Sequence, residues 1–147
     1  MLRGLQVFVS GFALAGFTLA GAAVASAQEA KPAPVMALDG DAAVVTILIK
    51  ADKTADFESV IAKYRESLEK SENAVRKQQL AGMKFYKGAA TAQGVPYIVV
   101  VDPVSKGEEY DITRVITEVF PTEVQALYEL YKGAFAGRGI SVLTKVQ

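Results

Sequence analysis

The chain has 147 residues and contains no histidine, no cysteine and no tryptophan. Without histidine, a Ser-His-Asp catalytic site cannot form. Without cysteine there are no disulfide bonds, and the residue that bacterial lipoproteins carry at their cleavage junction is missing. The fold must therefore be stabilised by the burial of apolar groups, which a chain of this length can supply.

An excess of charge of one sign is also absent, since the chain carries 16 basic and 16 acidic side chains. The basic pair Arg76 and Lys77 is far smaller than the positive cluster that nucleic-acid binding requires, and we interpret it as a solvated turn. We expect no nucleic-acid partner and no attraction to an anionic membrane.

Residues 1 to 27 have the pattern of a secretory signal peptide. Arg3 precedes an apolar stretch rich in small residues, and the sequence ASA at 25 to 27 matches the small-x-small site of signal peptidase. An uncleaved anchor is the alternative, because the apolar stretch approaches the roughly 20 residues that span a bilayer. Its glycines and the ASA site favour cleavage before Gln28. We therefore predict a periplasmic or secreted protein that leaves the membrane after cleavage.

About 120 residues remain after cleavage, which is enough for one domain and too few for two. Residues 28 to 41 are predicted to form a flexible leader with little to bury, because Pro32 and Pro34 oppose regular structure. Residues 42 to 147 are predicted to form the folded domain.

Four segments of the domain have strand patterns. Two are continuous apolar and β-branched runs, typical of buried strands, and two alternate more weakly between apolar and polar residues. In the second of the four, Gly82 is interpreted as a bulge. The predicted strands are residues 42 to 50, 79 to 87, 96 to 101 and 140 to 146.

The segment after the first strand predicts an amphipathic helix with Thr54 as its N-cap. Its apolar face consists of Phe57, Val60, Ile61, Tyr64 and Leu68. A second helical region is predicted from a cap at Asp111 to a break at Pro121.

A further helical segment follows the break, with Thr122 as its predicted cap and Gly137 and Gly139 ending it. Its apolar residues recur at the same helical spacing as those of the first helix. They are Val124, Leu127, Tyr128, Tyr131 and Phe135. Packing in the core explains this aromatic stripe, and for Tyr128 at its centre we expect a core position.

The resulting order, β-α-β-β-α-β, predicts an α+β ferredoxin-like domain with a four-stranded antiparallel sheet and helices on one face. A sheet that is covered on one face alternates apolar and polar residues along its strands. The first and third strands do not alternate, because Val44 and Leu48 are as apolar as Val45 and Ile47. Something besides the helices is therefore expected to cover the second face.

Element order and strand apolarity over residues 42 to 146 resemble the dimeric α/β-barrel proteins, in which two ferredoxin-like subunits pack sheet against sheet. Residues 54 to 72, 76 to 87 and 120 to 137 are also similar to segments of small exported bacterial proteins of unassigned function. The resemblance implies a homodimer. Members of the superfamily include cofactor-independent monooxygenases and haem-degrading enzymes, which often use His, Trp or Asn. Here Asn73 is the one residue of these types, and we expect no cofactor.

The resemblance also implies a cleft between the sheet and the helices that can hold a small apolar molecule. The residues expected to line it are Phe85, Tyr97, Arg114, Tyr128 and Tyr131. A tyrosine hydroxyl would orient the ligand, and Arg114 could meet an acidic group. The implied function is an exported small-ligand-binding or structural homodimer. The alternative is a cofactor-independent oxygenase or isomerase acting on a small apolar molecule.

The remaining motifs are short. Ser67 and Lys70 have the Ser-x-x-Lys spacing of serine acyl-transferases, although a solvated helix face explains them. The acidic stretch from Asp102 to Asp111 lacks the spacing of a calcium loop and is interpreted as a solvated loop that ends in a helix cap. No metal site is predicted.

Overall fold

A four-stranded antiparallel sheet and four helices form an α+β fold in the computed structural model, which describes residues 30 to 147. The predicted signal peptide at 1 to 27 lies outside the described residues. The strands are β1 (Ala42–Ile49), β2 (Met83–Lys87), β3 (Val95–Val101) and β4 (Phe135–Leu143). The helices are α1 (Thr54–Lys70), α2 (Ala74–Gly82), α3 (Ile112–Val119) and α4 (Val124–Ala134).

The strands lie in the order β2-β3-β1-β4, and every neighbouring pair is antiparallel. Each helical connection therefore skips one strand. Helices α1 and α2 lead from β1 to β2 past β3, and helices α3 and α4 lead from β3 to β4 past β1. In the centre of the sheet Val45 lies opposite Val99 on one side and Ile140 on the other.

The two faces of the central strands differ in burial. Alternate residues of β1 and β3 are buried in the core formed with the helices, among them Val45, Ile47, Val99 and Val101. The residues between them remain half-buried and face away from the helices. These residues, which we call the outer face, include Val44, Thr46, Leu48, Ile98 and Val100.

Helix α1 carries the predicted apolar face. Phe57, Tyr64 and Leu68 are buried with Val60 in the core. The predicted cap is wrong, because Thr54 is already the first residue of the helix. A single 3-10 turn, Ala51–Lys53, leads directly into α1, so no side chain caps its first turn.

The strand predicted at 79 to 87 is wrong in its first half, because residues 74 to 82 form α2. Asn73 caps this helix through its side-chain oxygen, which accepts a hydrogen bond from the amide of Val75 at 3.0 Å. Gly82 ends α2 and does not form a bulge. A Cβ at Gly82 would lie 2.9 Å from the carbonyl oxygen of Pro103, so the helix end and that loop meet backbone to backbone.

The helical region after β3 is confirmed at its start and at its break. The Asp111 side chain caps α3, which ends at Val119 before Pro121. The Thr122 cap is wrong, since the N-cap of α4 is Glu123 and its side chain makes no capping bond. The predicted helix end at Gly137 and Gly139 is also wrong.

Both of these glycines lie inside β4, which begins at Phe135. Gly137 pairs with Leu48 of β1, and Gly139 pairs with Thr46. The backbone hydrogen bonds between β4 and the central strand β1 outweigh the poor strand preference of glycine.

The predicted flexible leader also differs from the structure. Leu38 is 1% exposed and belongs to the hydrophobic core, and Met36 packs against the same core. The interpretation that residues 28 to 41 have little to bury is therefore wrong at Leu38. An isolated Met and Leu between polar and small residues form no periodic pattern, so the sequence contains no signal for this burial.

Candidate functional site

A small cavity lies between the sheet and the helical layer. Its volume is about 30 Å³, enough for about two water-sized molecules. Apolar side chains from β1, β2, β3 and α1 line most of it. Polar groups lie among this lining on Tyr64, Tyr110, Asp111, Tyr131 and Arg138. The cavity is far smaller than the roughly 300 Å³ at the lower end of ligand pockets.

Aromatic rings connect the cavity to the core around it. The Phe57 ring centroid lies 4.8 Å from that of Tyr97 and 5.8 Å from that of Tyr131. Tyr64 and Phe85 both line the cavity, and their ring centroids lie 6.4 Å apart. Phe57, which was predicted only as a core residue, therefore joins two of the tyrosines expected at the site.

Three of the five expected site residues lie at or beside the cavity. Phe85 and Tyr131 line it. Tyr97 is buried beside it and lines a surface depression of about 220 Å³ together with Phe85. The Tyr97 hydroxyl donates to the Glu58 carboxylate at 2.7 Å. Burial raises the pKa of Tyr97, and the Glu58 bond raises it further, so this hydroxyl is a hydrogen-bond donor with a structural partner.

The other two, Arg114 and Tyr128, are exposed and do not line the cavity. The expectation of a core position for Tyr128 is wrong, because its side chain is 42% exposed. Helix α4 buries its apolar stripe only partly, and the charged group of Lys132 lies 5.9 Å from the Tyr128 ring. Helical spacing showed which residues share a face, but not how completely that face is covered.

Arg138 was missed by the sequence analysis, and it is the cation that lines the cavity. Its guanidinium contacts the Met36 sulfur at 3.6 Å. Within residues 30 to 147 it has no carboxylate partner. Arg138 lies between two glycines in a segment expected to end a helix, so its place on an edge strand could not be inferred.

The other polar groups of the lining are already engaged. The Tyr64 hydroxyl donates to the Tyr110 carbonyl at 3.2 Å, and burial raises the pKa of Tyr64, so the hydroxyl stays protonated. The Asp111 carboxylate accepts from the amide of Arg114 at 3.0 Å and from the hydroxyl of Thr113 at 2.6 Å. Both groups therefore have structural hydrogen-bond partners within the described chain.

Tyr131 differs from Tyr64 and Asp111 in its hydrogen bonding. Its hydroxyl has no hydrogen-bond partner within the described chain. Burial raises the pKa of Tyr131, and the positive charge of Arg138 opposes that rise. Tyr131 and Arg138 together offer a donor and a cation to an anionic or hydrogen-bond-accepting group.

Glu109 holds the N-terminal segment beside this cavity. Its carboxylate accepts hydrogen bonds from the amides of Val35 at 2.7 Å, Met36 at 2.9 Å and Asp111 at 2.9 Å. Burial alone would raise the pKa of Glu109, but these amide donors outweigh it and hold the pKa below its usual value. The solvated-loop interpretation is therefore wrong at Glu109, which is 8% exposed.

Arg76 is buried as well, so the solvated-turn interpretation is wrong. Its side chain is 1% exposed. The guanidinium donates to both carboxylate oxygens of Glu118, at 2.8 and 2.6 Å, to the Gln79 side chain at 2.7 Å and to the Glu109 carbonyl at 2.9 Å. These bonds join α2 to α3 and to the loop that carries Glu109.

Ser67 is not part of an acyl-transfer site. Its side chain is buried, and its hydroxyl donates to the Lys63 carbonyl at 2.8 Å. Lys70 is exposed and pairs with Glu66 at 2.6 Å. The solvated-face interpretation therefore holds for Lys70 and is wrong for Ser67, which packs in the core.

The chain matches no protein-family model and no curated protein sequence. Across residues 30 to 147, no group of three or more acidic side chains could hold a metal ion. No helix in this part of the chain is long and apolar enough to cross a membrane. A functional proposal must therefore be argued from the geometry.

Proposed function

We propose that this protein is an exported homodimer that binds a small, mostly apolar molecule in the cleft between its sheet and its helices. The observation that carries the proposal is the apolar cavity with Arg138 and Tyr131 in its lining. Within residues 30 to 147, Arg138 has no carboxylate partner and the Tyr131 hydroxyl has no hydrogen-bond partner. Together they suit a ligand with one anionic or accepting end. Export is proposed from the signal pattern of residues 1 to 27.

The fold supports a ferredoxin-like subunit as part of this proposal. Two connections that each skip one strand are the split βαβ arrangement of that fold. Packing of two such sheets through their outer faces would make a dimeric α/β barrel.

The outer face is suited to a second copy of the chain. Val44, Ile98 and Val100 lie side by side at its centre, and Tyr86 and Leu143 extend it towards the two edges. Lys84 is its one charged residue among the paired strand positions. A contiguous apolar surface that lacks charge marks an interaction site.

Binding is favoured over catalysis. A cofactor-independent oxygenase or isomerase needs a group that accepts a proton. Tyr64 and Asp111 are held in structural hydrogen bonds, and burial raises the pKa of Tyr131, so its hydroxyl is a donor and not a base. Among residues 30 to 147, no other carboxylate lines the cavity. No observation in the described residues favours the oxygenase or isomerase alternative, and we do not propose it.

Native mass spectrometry of protein purified without denaturant tests both parts of the proposal. We expect twice the mass of one chain, with added mass from a bound small molecule. A chain that is monomeric at micromolar concentration would contradict the homodimer, and a ligand-free dimer that binds no apolar acid would contradict the binding function.

Paired charge substitutions test the dimer surface. Ile98→Asp with Val100→Asp should give a folded monomer, because both side chains lie on the outer face. Val99→Asp with Val101→Asp is the matched control and should unfold the protein, since an unpaired buried charge costs about 3 to 5 kcal/mol. Sedimentation and circular dichroism distinguish the two results. If the variant with Ile98→Asp and Val100→Asp is still a folded dimer, the interface lies elsewhere.

A further inference from the structure

Residues 35 to 39, which we call the N-terminal strap, close the cavity on one side. Met36 and Leu38 line the cavity beside residues of β1, β3 and α4. Leu38 is fully buried there, and Met36 is half-buried. The strap therefore occupies space between the sheet and the helices in which the proposed ligand would have to lie.

The strap is attached mainly through one carboxylate. Glu109 accepts hydrogen bonds from the amides of Val35 and Met36, and the amide of Tyr110 donates to the Met36 carbonyl at 2.9 Å. The strap has no helix or strand of its own. The next backbone bond along the chain is made by Asp41, whose amide donates to Leu143.

This attachment is of the kind that opens locally. Segments held by few backbone hydrogen bonds separate at a lower free energy than the strands of the core. Leu38 is the one fully buried large side chain that the strap would expose on opening. With the strap in place, the cavity of about 30 Å³ is about a tenth of the smallest usual ligand pocket. A ligand of more than a few atoms needs a lining segment to move. Two lining segments lie outside the helices and strands, the strap and residues 110 and 111. Residues 110 and 111 lead directly into α3, whose cap is Asp111, so the strap is the segment that can separate more easily.

We propose that the N-terminal strap is a displaceable cover, latched by the Glu109 carboxylate, and that the cleft binds an apolar molecule with one anionic group when the strap is released. This inference rests on the proposed binding function and specifies its ligand class. The Arg138 guanidinium contacts the Met36 sulfur at 3.6 Å, and sulfur is a weak acceptor. Departure of Met36 frees the cation for a carboxylate or sulfonate, which binds it more strongly.

The first test compares Glu109→Gln with Glu69→Gln in the full mature protein. Gln keeps the shape of Glu109 but replaces one accepting oxygen with an NH₂ donor that faces backbone donors, so the latch weakens. Glu69 is an exposed carboxylate on α1 and serves as the matched control for the lost charge. The readouts are amide hydrogen exchange at Val35 and Met36 and the affinity for 8-anilinonaphthalene-1-sulfonate, an apolar sulfonate.

For Glu109→Gln we expect exchange at both strap amides to rise by about tenfold or more, the factor that loss of a charge-assisted hydrogen bond produces. Exchange in β1 and β3 should not change. The sulfonate should bind more tightly by a similar factor, because apparent affinity scales with the population of the open form. Glu69→Gln should match the wild type in both measurements.

Arg138→Gln tests the anionic end of the ligand. It should weaken sulfonate binding and change exchange at the strap amides far less than Glu109→Gln does, because Arg138 contacts the strap through the weakly accepting Met36 sulfur and not through its backbone. Unchanged affinity in this variant would overturn the assignment of Arg138 to the anionic group.

A measurement on the wild type keeps the proposal falsifiable if Glu109→Gln does not fold. Saturating sulfonate should speed exchange at Val35 and Met36, since the ligand selects the form with the strap released. Slower exchange at these two amides would contradict the proposal that the strap is a displaceable cover. Equal sulfonate affinity in wild type and a folded Glu109→Gln would also overturn it. Absence of sulfonate binding in every variant would instead refute the binding function.

Discussion

Arg76 and Glu109 are buried charged side chains whose partners lie far along the chain. Arg76 holds Glu118, 42 residues away, and Glu109 holds Val35, 74 residues away. Burial of a charge is costly unless hydrogen bonds replace the lost water, and both residues receive several such bonds. At the scale of single residues, these two groups decide where α2, α3 and the strap lie.

Arg76→Lys should lower the free energy of unfolding by about 1 to 3 kcal/mol, because an ammonium cannot reproduce the two-pronged bond to Glu118 and also reach Gln79 and the Glu109 carbonyl. Arg114→Lys is the control, since Arg114 is exposed on α3 and should change by less than about 0.5 kcal/mol. Urea denaturation measures both. Equal effects would show that the buried network contributes no more than a surface cation.

At the scale of elements, the start of each helix depends on its immediate neighbours. The sequence contains hydroxyl and carboxyl side chains near most helix starts, but only some of them cap. Asn73 caps α2 and Asp111 caps α3, whereas α1 and α4 begin without a side-chain bond. A 3-10 segment already turns the chain before α1, so Thr54 lies inside the helix and makes no capping bond.

Asn73→Ala should therefore destabilise the protein by about 1 kcal/mol, the usual effect of removing an N-cap acceptor. Thr54→Ala should be close to neutral, because Thr54 lies within α1 and makes no capping bond. Thermal unfolding of the two variants gives the comparison. A larger effect for Thr54→Ala would contradict the helix start described here.

At the scale of the whole molecule, the two edges of the sheet differ. Strand β2 is short and carries Lys84 and Lys87, which discourage further pairing. Strand β4 is longer, and on the outer face it presents Gly137 and Gly139 next to β1. Glycine in a strand allows close approach of another backbone. In the proposed dimer, the two glycines would allow a second copy to approach the outer face closely.

Gly139→Val tests that contact. No atom lies within 4 Å of a Cβ added at Gly139, so a single chain should keep its fold, and valine favours strands. A close dimer contact should instead be overpacked, which costs about 1 to 3 kcal/mol and raises the dimer dissociation constant about tenfold or more. Gly133→Ala, an equally open glycine on α4, is the control. Unchanged sedimentation of Gly139→Val would exclude a close contact at this site.

Local patterns in the sequence were sufficient for the elements whose causes are local. The continuous apolar runs predicted β1 and β3, and helical spacing predicted the buried face of α1. Asp111 and Pro121 marked the start and the end of α3 because capping and the missing proline donor act within one turn. Of the site residues expected from the resemblance, Phe85 and Tyr131 line the cavity and Tyr97 lies beside it.

Only the tertiary structure decided the features that depend on distant partners. The burial of Arg76, Glu109 and Leu38, and the place of Arg138 in the cavity lining, require groups that are separated by tens of residues in the chain. A charged residue can be buried only where several donors or acceptors converge on it in space, and sequence spacing does not record that convergence. For the same reason, the sequence showed two apolar sheet faces, and only the packed helices determined which of them stays open.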